Sequence, residues 1–274
     1  MLRLPVAEML RRIERGEPFE AVADDYSFRL KIEEYAPLVC GAVHDGHQFR
    51  KALWGICTHT EYERWYEEDP CTRDMVADHP IVLAGCDSRF EYDLNRPPES
   101  AIYEDAWGKP LWKRPLPGRE HQLSLGKHQA FYQVVHALVG KLESLHGAVL
   151  VIDMHSYNYR RWQREVPTWN LGTRNIDNAR FGHLAEAWRA KLADIVLPHA
   201  IPSTARINDT FQGNGYFLKF ITRNFGNTLV LATEIAKVYC DETSGILYPE
   251  VVAAVRRQLK ELIPLQLAAF RKSL

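Results

Sequence analysis

The chain lacks a cysteine framework. Its five cysteines (40, 57, 71, 86 and 240) are odd in number and include no CxxC pair. That excludes a disulfide scaffold and a finger-type zinc knot, and it suits a reducing compartment. Long apolar runs are missing too: nothing approaches the roughly 18 residues a membrane span requires. The first dozen residues carry Arg3, Glu8, Arg11 and Arg12, so no secretory core is read there. Net charge is almost absent. At −1 over 274 residues, no global field recruits nucleic acid or an anionic membrane. The short basic clusters in RLPVAEMLRRIERG and YNYRRWQR read as solvated faces. No GxSxG elbow surrounds Ser156, and no cysteine sits in a nucleophile motif, which disfavours a serine or cysteine hydrolase. Repeats, low-complexity tracts and flexible linkers are also lacking. With 46% hydrophobic and 25% charged residues, the expectation is a soluble cytoplasmic protein with a single domain over residues 1–274.

What is present is alternation of helical and strand patterns. Residues 5–15 have helical spacing with Gly16 as the stop. Leu38–Val43 and HPIVLAGC (79–86) are short apolar runs that read as buried strands. FEYDLNRPPE (90–99) alternates apolar and polar residues until two prolines end it. Residues 127–147 form a long amphipathic helix closing at Gly147, and the apolar strand Ala148–Ile152 follows directly. A helix over 181–196, a strand over 227–236 and a C-terminal helix kinked or broken at Pro264 complete the pattern. The expected fold is α/β, with a mixed, largely parallel sheet and helices on both faces. Two long polar loops, YEDAWGKPLWKRPLPGREHQ and YNYRRWQREVPTWNLGTRNID, follow sheet elements, where open α/β sheets place ligands.

Four of these runs deliver polar groups in the same manner. Leu38–Val43 leads to His44, Phe90–Leu94 to Asn95 and Arg96, Val149–Ile152 to Asp153 and His155, and Leu229–Thr233 to Glu234. Any one could be a satisfied residue at a core edge, but neighbouring strands of one sheet bring their ends within mutual reach. The chemistry such a set supports is metal-assisted hydrolysis. Neutral imidazole suits zinc, a catalytic zinc leaves one position for water, and a nearby carboxylate carries the proton to the leaving amine.

The motifs HDG (44–46), YDLNRPPE (92–99), IDMHS (152–156), NLGT (170–173) and ATEIAKVYCDE (232–242) together resemble the N-formylglutamate amidohydrolase family, itself similar in core to zinc carboxypeptidases. The resemblance implies a zinc-dependent amidohydrolase acting on a small acidic N-acyl amino acid, with N-formyl-L-glutamate as substrate and histidine degradation as context. It implies His44 and His155 as metal ligands and Glu234 as the carboxylate that activates water. Arg96, beside Asn95, would clamp a substrate carboxylate. The third ligand stays open: Asp69 is preferred, then Glu68, then His47, and Asp69 before Pro70 equally suits a helix N-cap. His128 at the head of the long helix, and Asn208, Phe211, Gly213 and Gly215 in RINDTFQGNGYF, resemble substrate-facing positions. A turn would account for the glycines as well. The enlarged aromatic loop around Trp107, Trp112 and Trp169 leaves room for a different acyl-amino acid or a short peptide, and a metal-free carboxylate-binding protein on the same scaffold is the rival reading.

Overall fold

A computed structural model describes residues 1–274. In chain order the elements begin with β1 (Leu2–Leu4), α1 (Val6–Arg15), β2 (Phe19–Ala23), β3 (Phe28–Ile32) and β4 (Leu38–Ala42). Three short helices follow, α2 (Lys51–Trp54), α3 (Glu61–Glu67) and α4 (Thr72–Met75), and then β5 (Ile81–Gly85). A small ribbon, β6 (Asp105–Ala106) and β7 (Lys109–Pro110), precedes α5 (Gly118–His146) and β8 (Val149–Tyr157). The chain closes with β9 (Trp169–Gly172), α6 (Asn178–Ala193), β10 (Ala205–Ile207), α7 (Tyr216–Asn224), β11 (Thr228–Ala236) and α8 (Pro249–Lys272).

Nine strands form one sheet in the order β1-β2-β3-β5-β4-β8-β11-β9-β10. Its centre, β5-β4-β8-β11, is parallel. Antiparallel pairs occur at β2/β3, β3/β5 and β11/β9. Helices α1, α5 and α7 pack together on one side, and α4, α6 and α8 on the other. The expected mixed, largely parallel α/β sheet is therefore the observed one. β8 shows why: all nine of its residues are buried, and its first half, Val149–Ile152, is apolar without alternation, as in a strand covered on both faces. Gly16 and Gly147 end α1 and α5 in left-handed geometry, with φ of 71° and 78°.

Several sequence expectations are corrected. Residues 90–99 are not a strand. Phe90, Glu91, Tyr92, Asp93 and Leu94 are all buried, so the apolar/polar alternation does not separate two faces. Glu91 is buried against Arg50 and Lys127, and Asp93 against His44 and Arg89, which lets acids take interior positions. α5 starts nine residues earlier than its apolar period suggests, because its first turns are exposed and carry no apolar stripe. β8 runs on to Tyr157, since β11 pairs with it through Ala236. α8 passes through Pro264 without breaking. Pro264 lies on the exposed side, where solvent can satisfy the carbonyl that loses its partner. Strands β1–β3, β9 and β10 have no counterpart in the sequence reading.

Candidate active site

The parallel centre of the sheet assembles the site at its carboxyl end. Gly41 of β4 stands opposite Asp153 of β8, which brings His44, just past β4, next to His155. On the other side of β8, Glu234 of β11 is in register with His155. Asp69, between α3 and α4, is tied in by its own N–H, which donates to the His44 carbonyl at 2.9 Å. The two rings lie with centroids 5.0 Å apart, although 111 positions separate them in the chain.

Both imidazoles point Nδ1 at one carboxylate oxygen. His155 Nδ1 lies 3.0 Å and His44 Nδ1 3.3 Å from Asp69 Oδ2. Each ring turns its other nitrogen to a separate acid: His44 Nε2 is 2.6 Å from Asp93 Oδ1 and His155 Nε2 is 2.9 Å from Asp153 Oδ1. The second contact is poorly aligned, and Asp153 Oδ1 has no partner of full hydrogen-bond geometry. Asp93 is fixed in turn by Arg89 at 2.8 Å and by the Tyr103 hydroxyl. Burial works against the Asp69 charge, but hydrogen bonds from His155 and His44 outweigh it and hold the carboxyl below its ordinary range. Asp93 is likewise depressed: burial opposes its charge, while Arg89 and His44 prevail. Glu234 has no such partner, and burial pushes it up to about 8, with Asp69 and Asp153 adding to the rise and His155 opposing it.

The donor set fits a divalent cation. One ligand atom each from His44, Asp69 and His155 lies within 4.8 Å of the others, all three residues buried. Donors about 2.1 Å from one tetrahedral centre stand roughly 3.4 Å apart, close to the two Asp69 separations above. An acid on the far nitrogen of each imidazole is the usual way a metal-binding histidine is oriented.

These groups open on a cavity of about 270 Å³. It is lined by His44, Asp69, His155 and Glu234, and also by Asn95, Arg89, Lys237, Asn158, Tyr157, Trp162, Phe211 and Trp107. The two long polar loops thus contribute Trp107 and Trp162 to its walls. The other sequence candidates fall elsewhere. Arg96 is outside the lining: its guanidinium lies over the Tyr103 ring at 4.6 Å, with Nε 3.9 Å from Asp93 Oδ2. His47 and Glu68 pair with each other at 2.6 Å rather than joining the two histidines. Asp69 does not cap α4, whose N-cap is Cys71. His128 faces the groove between α1, α5 and α7, and its Nε2 meets the Arg96 carbonyl at 2.9 Å. Asn208 braces the Thr173 segment through its side chain. Gly213 (φ 76°) packs against Gly172 so closely that a Cβ would stand 2.7 Å from the Gly172 carbonyl carbon. Gly215 meets Asn95 in the same manner. Asp93 and Arg89 were missed as supports of His44; Asp93 lies inside the DLNR motif, and Arg89 four residues before it is the signal that was available.

The sequence profile described as N-formylglutamate amidohydrolase matches residues 36–239. The chain belongs to that family. It is thus an amidohydrolase, and the matched span contains every residue named in the cleft. Among solved structures, an N-formylglutamate amidohydrolase from Ralstonia eutropha JMP134 is similar with a TM-score of 0.73 and 19% identity, over 90% of this chain and 99% of that one. The gene product Atu2144 from Agrobacterium tumefaciens is similar with a TM-score of 0.67 and 15% identity, over 89% and 96%. At these identities the likeness concerns the fold. No curated protein matches the sequence. No helix of the chain is long and apolar enough to cross a membrane.

Proposed function

We propose that this amidohydrolase is a metal-dependent deacylase of acidic N-acyl amino acids, with N-formyl-L-glutamate, hydrolysed to formate and L-glutamate, as its substrate. The observation that carries the reading is the convergence of His44, Asp69 and His155 on one point, with Glu234 across the same small cavity. A divalent ion such as zinc, held by those three residues, would supply Lewis acidity toward the acyl oxygen and lower the pKa of water. The protein's own groups do the rest. Asp93, hydrogen-bonded to His44 Nε2, favours the tautomer that leaves Nδ1 free to donate electrons, and the Asp153 charge 2.9 Å from His155 Nε2 favours a proton on that nitrogen too. Glu234 takes the proton of the attacking water as its oxygen bonds to the acyl carbon, and delivers a proton to nitrogen as the C–N bond breaks. Asn95 lines the cavity with its amide 3.4 Å from His155 Nε2, within reach of a substrate oxygen. Arg96, outside the lining, would need to leave Tyr103 to meet a substrate carboxylate.

The purified protein is expected to carry about one equivalent of zinc or a similar ion. Dipicolinate treatment should abolish formate release from N-formyl-L-glutamate, and zinc should restore it. Full activity in metal-stripped protein would reject the reading, as would failure to release formate with the metal present.

A second reading, a larger acyl group on the same amino acid, is favoured by one feature. A recess of about 560 Å³, lined by Tyr62, Tyr66 and His59, shares Glu67, Trp107 and Arg161 with the catalytic cavity. If it receives the acyl chain, N-benzoyl-L-glutamate will be cleaved with a kcat/KM at least that of the formyl compound, and Trp107→Ala will reverse the order. A much lower value for the benzoyl substrate would leave the formyl assignment standing alone.

A further inference from the structure

Three cationic side chains reach the cleft, and two of them have carboxylate partners. Arg89 donates to Asp93 at 2.8 Å and Arg161 to Glu67 at 2.5 Å. Lys237 does not. It is 1% exposed, yet it forms no ion pair. Its ammonium donates to the main-chain carbonyl of Tyr66, an acceptor that also receives the Asn158 amide at 2.7 Å. The rings of Trp65 and Tyr66 stand 5.7 and 5.6 Å away, near the outer limit of a cation–π contact. One shared carbonyl and two distant ring faces do not replace the water that three N–H donors lose on burial. Burial accordingly draws the Lys237 pKa below the usual lysine value, with Asp69 foremost among the charges that oppose the fall.

An isolated buried ammonium is costly, and the side chain that carries it lines the cavity that holds His44, Asp69, His155 and Glu234. Lys237 follows Glu234 by three residues, just beyond β11, and its N–H donates to the Tyr157 carbonyl at 2.9 Å, so the strand pair fixes its backbone. Arg96, the other cation a substrate anion could use, is half-exposed and lies outside that lining.

We propose that Lys237 holds the substrate's carboxylate, and that the cleft thereby selects N-acyl amino acids over N-acyl amines. The inference rests on the deacylase reading above. A carboxylate on Nζ shares one small cavity with the scissile amide, so the contact fixes the amide against Glu234 and the two histidines. It also supplies the ammonium with the counter-charge the free protein withholds.

The test compares wild type with Lys237→Gln and Lys237→Arg. Turnover is measured on N-formyl-L-glutamate and on its diamide, and calorimetric binding on glutarate and glutaramide. Lys237→Gln is expected to raise KM for the acid on the order of 100-fold, the cost of deleting one side of a buried charge pair. Its kcat, and turnover of the diamide, should fall far less, with metal content unchanged. Lys237→Arg should recover most of the affinity, and glutarate binding should follow the same order. Equal losses on acid and diamide, or a Lys237→Gln enzyme that keeps the wild-type preference, would overturn the proposal. So would a wild type that binds glutarate no better than glutaramide, a result needing no variant. If Lys237→Gln does not fold, Lys237→Met takes its place in both assays. If wild type turns over neither substrate, binding decides: Lys237-dependent binding of glutarate keeps the anchor and rejects the deacylase reading, and its absence rejects the anchor.

Discussion

Glu234→Gln should lower kcat by roughly 10³-fold, within the 10²–10⁴ that a positioned general acid–base contributes, while leaving the bound metal and KM nearly unchanged. The substitution keeps the side chain's volume and removes its capacity to take a proton. Glu234 lies at the end of β11 in register with His155, and it lines the cavity without an ion-pair partner. Its position therefore does not depend on a charge that glutamine would forfeit. Burial pushes its carboxyl up to about 8, closer to neutrality than an exposed glutamate, which suits a group that must both accept and return a proton. Metal content by elemental analysis and steady-state rates on N-formyl-L-glutamate separate the outcomes. Unchanged kcat removes Glu234 from the chemistry. A loss of metal in proportion to activity would make it a ligand instead.

That pairing of Glu234 with His155 explains what the sequence makes legible and what it does not. Leu38–Val43, Val149–Ile152 and Leu229–Thr233 are short apolar runs without alternation, the pattern of strands buried on both faces. Adjacent parallel strands end at the same edge, so polar residues just past such runs are brought together by topology alone. His44, His155 and Glu234 were readable for that reason. The residues that steady them were not. Asp93 lies in a stretch whose alternation mimics a strand, and only its pairing with His44 and Arg89 reveals why acids there are interior. Lys237 looks in the sequence like a solvated residue after a strand; its burial comes from Trp65 and Tyr66 of α3, about 170 positions earlier. Periodicity carries no information about such contacts. Arg96 illustrates the converse. Its motif is conspicuous, but past the turn set by Asp93, which accepts the Asn95 N–H at 2.6 Å, Asn95 lines the cleft and Arg96 lies over the Tyr103 ring outside that lining.

Asp69→Asn is expected to be the more severe lesion, because it strikes the point on which both imidazoles converge. Asparagine matches the shape, but it presents a neutral oxygen where His44 Nδ1 and His155 Nδ1 now face a carboxylate at 3.3 and 3.0 Å. Loss of a partner that merely orients a metal-bound histidine costs 10–100-fold in metal affinity. Removing a charged donor from the set itself should cost at least on the order of 100-fold by the same scale, and it leaves His155 facing a reduced negative field. The variant should be purified largely metal-free and should release formate at the background rate. Excess zinc should restore only part of the activity, in contrast to Glu234→Gln, which should hold zinc tightly and remain slow. Titration with zinc, read by calorimetry, distinguishes the two. If Asp69→Asn binds zinc as tightly as wild type, the third donor is another group and the three-residue centre is wrong. If it binds weakly but turns over normally once saturated, Asp69 serves the ion and not the reaction; the partial recovery expected here gives its charge a share in both, as a carboxylate facing both Nδ1 atoms should have.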